Sequence, residues 1–328
     1  MRVLLGLSGG VDSQVAAKLL QQQGYGLIAL YLDNGFPGAE RAARAAEELG
    51  IPFHSRDIRE ALESHVCAPF AEGYLRGETP SPCVLCNRDV KFAELLGAAD
   101  ELGCDAIATG HYARSEGGSL YKGRIPNDQS YMLCRLKREQ ASRLLLPLGP
   151  FEKKEVRAMA GEWGLSSAKS ADSMEICFIP DGDYAAYIER RGQTPPPGPY
   201  IYNNKVVGQH RGIHHFTIGQ RRRLGIALGK RIYVSEIRPE DNAVVLSDGD
   251  EVYTDRIRVG SLSWLEDVSF PLSCTARIRH SRADTPPARL QADGTLCFDA
   301  SVRAPTPGQA VAFYDGQRLL GGGFIEKD

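Results

Sequence analysis

Arg2-Val3-Leu4-Leu5-Gly6-Leu7-Ser8-Gly9-Gly10-Val11-Asp12-Ser13-Gln14-Val15-Ala16-Ala17-Lys18-Leu19-Leu20 opens the chain, and the fold turns on how it is read. The apolar run ending at Leu7 suits a short buried strand. Val11, Val15, Leu19 and Leu20 then recur at helical spacing, and the pattern stops at Gly24. Between the two lies Ser8-Gly9-Gly10, a tight strand-to-helix turn. Its glycines let the backbone wrap an anion, Ser8 and Ser13 add hydroxyl donors, and the helix N-terminus supplies partial positive charge. The turn lacks the Gly-Lys-Ser/Thr ending of a Walker A loop and the spacing of a dinucleotide fingerprint.

Working outward, Leu27 to Leu32 reads as a second strand and residues 39–49 as a helix ended by Gly50. Phe92 to Leu102 is a further helix ended by Gly103, and Ala106-Ile107-Ala108 a further buried strand. Strands alternating with helices imply an α/β, doubly wound parallel sheet with its ligands at the carboxyl ends of the strands. The style changes near residue 190. Gln193-Thr-Pro-Pro-Pro-Gly-Pro199 reads as a linker, because proline excludes helix and breaks ladders. Beyond it the segments are short and β-like, at 232–237, 243–247, 256–262, 273–279 and 310–314, with turn signals such as Ser247-Asp248-Gly249 between them. The division expected is a catalytic domain over 1–192 and small β-rich domains over 193–250 and 251–328, with no internal repeat.

The chain's 328 residues are enough for two or three domains. Apolar residues at 42% and charged residues at 24% exclude low-complexity disorder, and no apolar run approaches the roughly 20 residues that span a bilayer. The N-terminus has no signal-peptide layout, which points to a cytoplasmic protein without a membrane partner. Eight cysteines in a chain of this length are not a disulfide scaffold, and read as core residues, metal ligands or reactive thiols. The net charge of −2 hides a segregation. From Asn203 to Arg231 there are seven basic residues, three histidines and no acid, and 277–289 adds Arg277, Arg279, His280, Arg282 and Arg289 against Asp284. A polyanion would therefore meet mainly the second half.

A second motif is Thr79-Pro80-Ser81-Pro82-Cys83-Val84-Leu85-Cys86-Asn87-Arg88-Asp89-Val90-Lys91-Phe92. Two prolines stiffen a loop that presents two cysteines before a helix. A thiol near a helix N-terminus, Arg88 and Lys91 is expected to have a lowered pKa. Cys83-x-x-Cys86 has the spacing of half a zinc site, but no second pair follows at the usual interval, so structural zinc is the weaker reading. Cys177, in Ser170-Ala171-Asp172-Ser173-Met174-Glu175-Ile176-Cys177-Phe178-Ile179, reads by itself as a core cysteine and in company with the preceding loop as a reactive one. Cys67, Cys104, Cys134, Cys274 and Cys297 lack a partner motif and read as packing residues, and Met174 as core. His214-His215 reads as a polar strand facing a nucleic acid in preference to a metal pair.

The Ser8–Ser13 turn resembles the PP-loop of the ATP pyrophosphatase superfamily, and the whole chain resembles the bacterial tRNA 2-thiouridylase family. The likeness is carried in order by the turn, the Leu85-Cys86-Asn87 loop, Ala108-Thr109-Gly110-His111-Tyr112, Asn127-Asp128-Gln129-Ser130-Tyr131, and Ile176-Cys177-Phe178-Ile179. It continues through Phe216-Thr217-Ile218-Gly219-Gln220-Arg221, Thr306-Pro307-Gly308-Gln309 and Gly321-Gly322-Gly323. The resemblance implies a PP-loop domain followed by a central domain and a C-terminal β-barrel. It also implies ATP-dependent thiolation at C2 of a tRNA wobble uridine.

By position, the resemblance would place Gly6, Leu7, Ser8, Gly9, Gly10, Val11, Asp12 and Ser13, with Leu32 and Gly110, around ATP, and Asp12 near Mg2+. Cys86 matches the nucleophile and Cys177 the cysteine that carries the transferable sulfur as a persulfide, and the partners implied are tRNA and a sulfur-donor protein or sulfide. His111, Asn127, Asp128, Gln129, Arg279, His280 and Gln309 match positions that contact tRNA, and Ser81, Pro82 and Cys83 would flank the target base. The sequence departs from the family at Cys83, where an aspartate is usual. Cys83, Cys86 and Cys177 thus resemble the three-thiolate arrangement of iron–sulfur-dependent tRNA thiolation enzymes, so a [4Fe–4S] cluster with one open iron stands beside the persulfide relay. Glu175 is a second departure, without a physical account. The readings left open are thiolation of a different base and a PP-loop synthetase such as one forming argininosuccinate or GMP.

Overall fold

A computed structural model describes residues 1–170, 176–192, 194–281 and 283–327. The expectations on Met174, Glu175 and Arg282, and on Gln193 as the start of the linker, lie outside the described residues. In the first half, β1 (Arg2–Gly6), β2 (Gly26–Asp33), β3 (Phe53–Asp57) and β4 (Ala106–Ala108) precede a hairpin of β5 (Ala113–Glu116) and β6 (Ser119–Lys122), then β7 (Leu144–Leu145). The five strands outside the hairpin form one parallel sheet in the order β3-β2-β1-β4-β7. Alternation along β1 sends Val3 and Leu5 to one face, against the helices Val11–Gln22, Ala39–Leu49 and Lys153–Glu162, and Leu4 to the other, against Phe92–Glu101. Gly50 and Gly103, at φ of 64° and 62°, end their helices in the left-handed region. Chain order reverses between β1 and β4, so the crevice of a doubly wound sheet opens where β1 runs into the Ser8–Ser13 turn and β4 into Thr109-Gly110.

The second half is β-rich. β8 (Gly198–Tyr202), β9 (Lys205–His210), β10 (Tyr233–Arg238) and β11 (Ala243–Ser247) form a sheet in the order β10-β11-β8-β9 around Tyr200, Phe216, Val234 and Leu246. The linker expected to reach Pro199 is shorter than that. Pro199 lies in β8, tolerated because the ladder with β11 begins only at Tyr200. His214-His215 is not a strand either. It belongs to a 3-10 turn, Ile213–His215, with the His214 side chain fully buried, because Ile213 and Phe216 on either side anchor the segment in the sheet's core.

β12 (Tyr253–Trp264), β13 (Leu272–Arg277), β14 (Ala288–Leu290), β15 (Thr295–Arg303), β16 (Ala310–Asp315) and β17 (Arg318–Ile325) pair antiparallel in the order β12-β15-β14-β13-β16-β17. β17 returns to β12 and closes a six-stranded barrel. The β5–β6 hairpin extends this barrel: Tyr121 and Leu120 of β6 pair with Arg318 and Leu319 of β17. Residues 113–122 of the first half and the last third of the chain thus share one sheet. No described helix is long and apolar enough to cross a membrane.

Candidate active site

The Ser8–Ser13 turn is built from its own side chains. The Ser8 and Ser13 hydroxyls are 3.2 Å apart, and Ser13 Oγ also donates to the Gly10 carbonyl at 3.0 Å. Gly9 has φ +72°, and a Cβ there would lie 2.8 Å from the Arg41 backbone. Gly110 is equally confined: a Cβ would come within 2.9 Å of the Asp12 carbonyl carbon. Strand β4 thereby delivers its carboxyl end directly onto the turn. The Asp12 carboxylate at the start of the helix is held from outside. Lys153 Nζ lies 2.7 and 2.6 Å from its two oxygens, and Tyr112 donates to Oδ1 at 2.6 Å. Arg41 Nε donates to the Ser8 carbonyl at 3.3 Å. Lys153, Tyr112 and Arg41 were not anticipated. Tyr112 lay inside a recognised motif, whereas Lys153 lies in an ordinary helix start and no local pattern marks it.

The cysteine motif differs from the expected loop. From Pro82 the chain is already helical (Pro82–Cys86), passes through a π-helical turn (Asn87–Lys91) and continues as Phe92–Glu101. Proline at the first helical position suits this start. The π turn lets the Lys91 amide hydrogen-bond the Cys86 thiol. Cys83 and Cys177 are exposed, Cys86 is half-buried, and none is in a disulfide. The three thiols are neighbours. Cys86 feels the charge of both Cys177 and Cys83, and Cys83 that of Cys177. Phe178 and Ile179 sit in the same apolar cluster as Val90, with Cys86 against it, which brings two segments remote in sequence together. Cys67 also senses Cys177, and its thiol hydrogen-bonds Tyr187.

The expected depression of the thiol pKa is reversed. Burial pushes Cys86 up to about 11, and the opposing charge of Lys91 only partly offsets it. Among the described residues, no three thiols lie within 4.8 Å of one another. A tetrahedral zinc–thiolate site has edges of about 3.8 Å. The trio is therefore spaced too widely for a single zinc ion.

Lys91 ties this site to the nucleotide-type turn. Its charge also reaches His111, whose pKa falls well below the usual imidazole range, chiefly through burial. His111 Nδ1 is 2.7 Å from Thr109 Oγ1, and its ring lies 5.7 Å from that of Phe92. Asp12, Gly110, His111, Lys91 and Cys86 thus form a continuous path from turn to thiols. Leu32 packs half-buried against the clusters that hold Leu95 and Val90.

Of the other anticipated residues, Asn127, Asp128 and Gln129 spend their side chains internally. Asn127 Oδ1 accepts from the Lys153 amide at 3.0 Å and Gln129 Oε1 from the Tyr112 amide at 3.0 Å. Asp128 accepts from Ser130 and forms an enclosed ion pair with Arg277. Arg279 and His280 are exposed beyond β13. Gln309 Nε2 donates to the Thr79 carbonyl at 2.7 Å, the Thr79 amide to the Pro307 carbonyl at 2.8 Å, and the Ala310 amide to Ser81 Oγ at 3.0 Å. Thr79 Oγ1 also meets Thr217 Oγ1 at 3.2 Å. The segment leading into the cysteines is therefore gripped by both β-rich parts of the chain. Cys67, Cys104, Cys134 and Cys274 are buried and Cys297 is half-buried.

Residues 1–181 match the family described as the tRNA methyl transferase HUP domain, 186–248 the tRNA methyl transferase PRC-barrel domain, and 254–325 the aminomethyltransferase beta-barrel domain. The tRNA-specific 2-thiouridylase MnmA of Carboxydothermus hydrogenoformans is 41% identical over 99% of this chain and 98% of its own length. The protein of the same name from Sorangium cellulosum is 41% identical over 99% of this chain and 92% of its own. Among solved structures, a 4-thiouridine synthetase–RNA complex with bound ATP is 18% identical, covering 58% of this chain and 50% of that one with a TM-score of 0.35.

Proposed function

The chain belongs to the tRNA-specific 2-thiouridylase family, and from that premise we propose that it uses ATP to replace the C2 oxygen of the tRNA wobble uridine with sulfur. The observation that carries the assignment of residues is the meeting of Cys83, Cys86 and Cys177 at one end of a path that begins at Asp12. Residues 1–192 perform the chemistry, and 193–250 and 251–328 hold the tRNA. The setting is the cytoplasm, where thiols stay reduced.

A uracil oxygen is a poor leaving group, so it must first be activated. Gly6–Ser13, with Leu32 and Gly110, would bind ATP, and the C2 oxygen attacks the α-phosphorus as pyrophosphate departs. The donor set at the turn, one carboxylate with the hydroxyls of Ser8 and Ser13, suits Mg2+, and Asp12 would hold it once Lys153 yields. When bound, that ion supplies neutralisation of the leaving pyrophosphate. Lys153 would then turn from Asp12 toward the phosphate charge. Sulfur next attacks C2 and AMP leaves. The base has to be splayed from the anticodon stack to reach Ser81, Pro82 and Cys83.

For sulfur delivery, Cys177 carries a persulfide whose outer sulfur is passed to its thiolate from the persulfide of a donor protein, which is left as a thiol. The Cys86 thiolate attacks its inner sulfur, releasing hydrosulfide and leaving a Cys86–Cys177 disulfide that an external dithiol reduces. Cys83 favours a second reading, in which the three thiols hold a [4Fe–4S] cluster. The donor set, three thiols outside any disulfide, is the kind that holds such a cluster with one iron left open, where the hydrosulfide would bind. His111, Asn127, Asp128, Gln129, Arg279, His280 and Gln309 would then order and contact the tRNA, with backbone atoms doing so where side chains are internally engaged.

Nucleoside mass spectrometry of tRNA incubated with ATP and a persulfide-bearing donor protein should show 2-thiouridine with wild-type protein and none with Cys86→Ala or Cys177→Ala. A different thionucleoside would favour thiolation of another base, and activity untouched by both substitutions would favour a synthetase. Anaerobic purification with iron and acid-labile sulfide analysis separates the routes: full-rate thiolation by iron-free protein eliminates the cluster.

A further inference from the structure

Glu189, His214 and His215 lie outside the site just described. Among the described residues they are the only three histidine, cysteine, aspartate or glutamate side chains whose ligand atoms all lie within 4.8 Å of one another. Glu189 is the last residue of the helix Tyr184–Glu189, which packs through Ile188 onto the apolar cluster of Phe70, Val90 and Phe178 in the first half, although the PRC-barrel match begins at residue 186. The histidines belong to the turn between β9 and β10. Nε2 of each imidazole is 3.2 Å from the same atom, Glu189 Oε1, and the rings lie 4.2 Å apart.

A carboxylate oxygen has two lone pairs and can accept a hydrogen bond from each ring. Two ring nitrogens aimed at one carboxylate oxygen are also the arrangement of ligands about a small cation. Ligands about 2.0–2.1 Å from zinc stand about 3.3–3.4 Å apart on a tetrahedron, close to the separations found. The set is two imidazoles and one carboxylate, the composition of a three-ligand zinc site with a fourth position left to water. His214 is fully enclosed and His215 nearly so, while Glu189 is 41% exposed, which leaves one side open for the ion to enter. His214 Nδ1 is buried without a partner, so every polar interaction of that ring runs through Nε2. Asp183, which caps the helix by accepting from the Ala186 amide, and Arg211 are the other charged groups that reach His215, with opposite signs.

We propose that Glu189, His214 and His215 form a divalent-metal site of the zinc class that staples the central β-rich domain to the catalytic domain. The direct contact between these elements, Tyr184 OH donating to the His215 carbonyl at 3.2 Å, fixes the same joint. The basic stretch from Arg221 to Arg231 follows immediately after it, so the staple sets where that charge stands relative to the thiols.

The test uses full-length protein stripped by chelator and titrated with Co2+ and then Zn2+. Cobalt at this site should give visible ligand-field bands without thiolate charge transfer, which separates it from ions held by cysteines. Glu189→Gln, at the open edge, and His215→Ala should each remove those bands and one equivalent of zinc, with circular dichroism unchanged. Zinc should raise the unfolding midpoint of the wild type and not of either variant. Equal zinc binding by all three proteins, or no thiolate-free cobalt spectrum in the wild type, overturns the proposal and leaves a carboxylate bridging two imidazoles by hydrogen bonds alone.

Discussion

At the level of single residues, two influences oppose each other at the Cys86 thiol, and burial is the larger. Cys86 is pushed up to about 11 while the charge and amide of Lys91 pull it down, so the thiol is protonated at neutral pH. The sequence shows the lysine and hides the burial, which is why the expected direction is opposite to the one found. Labelling of Cys86 by iodoacetamide, followed by mass spectrometry in a Cys83→Ser, Cys177→Ser background, should rise about tenfold per pH unit from 7 and level off near 11. Lys91→Met removes a charge that favours the thiolate, so labelling at pH 8 should slow severalfold. Unchanged labelling would show that Lys91 does not act on the thiol. Stability follows the same sign. Cys86 prefers its proton in the folded state, and that preference is intact below the unfolded value of 9.0 and lost as pH climbs toward 11. Cys134 and Cys274, pushed up to about 12, extend the loss further. Urea midpoints should therefore be flat from pH 7 to 9 and decline above it, whereas a decline already complete by pH 9 would contradict the thiol assignment.

At the level of elements, the decisive contact is the end of β4 against the turn after β1. A methyl at Gly110 would meet the Asp12 backbone at 2.9 Å, and backbone cannot swing aside as a side chain does. Gly110→Ala should cost about 1–3 kcal/mol of stability and abolish tRNA- and ATP-dependent pyrophosphate release in a protein whose circular dichroism is native. Retained release would mean that the turn does not bind the nucleotide. These elements were readable beforehand because local chemistry specifies them. Val3–Leu7, the 39–49 helix with its Gly50 stop, and Ala106–Ala108 each carry their own apolar period and terminator. What stayed hidden depends on partners far along the chain. β3 reads Phe-His-Ser-Arg-Asp, mostly polar because it is an edge strand, and β6 gains its pairing from β17. The His214-His215 turn looks polar in sequence and is buried by its neighbours, and Lys153 reaches Asp12 across 141 residues. The cysteine loop was half legible: its residue types were evident, its helical and π-helical backbone was not.

At the level of the whole molecule, the barrel holds the segment that leads into Cys83 and Cys86. It grips Thr79 and Ser81 through Pro307, Gln309 and Ala310, and it takes the β5–β6 hairpin into its sheet. Beneath these contacts lies a buried polar joint. Arg277 of β13 pairs with Asp128 of the catalytic half, its Nε donates to Asp284 at 2.8 Å, and Lys122 joins Asp284. Tyr131 OH donates to the Ala310 carbonyl at 2.9 Å beside it, and Ser130 meets Tyr314 at 3.0 Å. The Arg277 and Asp128 side chains are only 3% and 4% exposed, so removing one leaves the other charged and dry. Breaking such a pair costs about 3–5 kcal/mol, because the surviving charge has lost both water and partner. Arg277→Met should thus lower stability by about that amount in urea titrations, and Asp128→Asn, which keeps the shape and a hydrogen-bonding group, by less. Combining the two should cost less than the sum of the singles, since the double variant strands no unpaired charge between these two positions. Strict additivity would mean the halves are held by apolar packing alone. If instead the joint transmits position to the cysteines, Arg277→Met protein that remains folded at low temperature should also show altered iodoacetamide labelling at Cys83, a readout that lost stability by itself would not move.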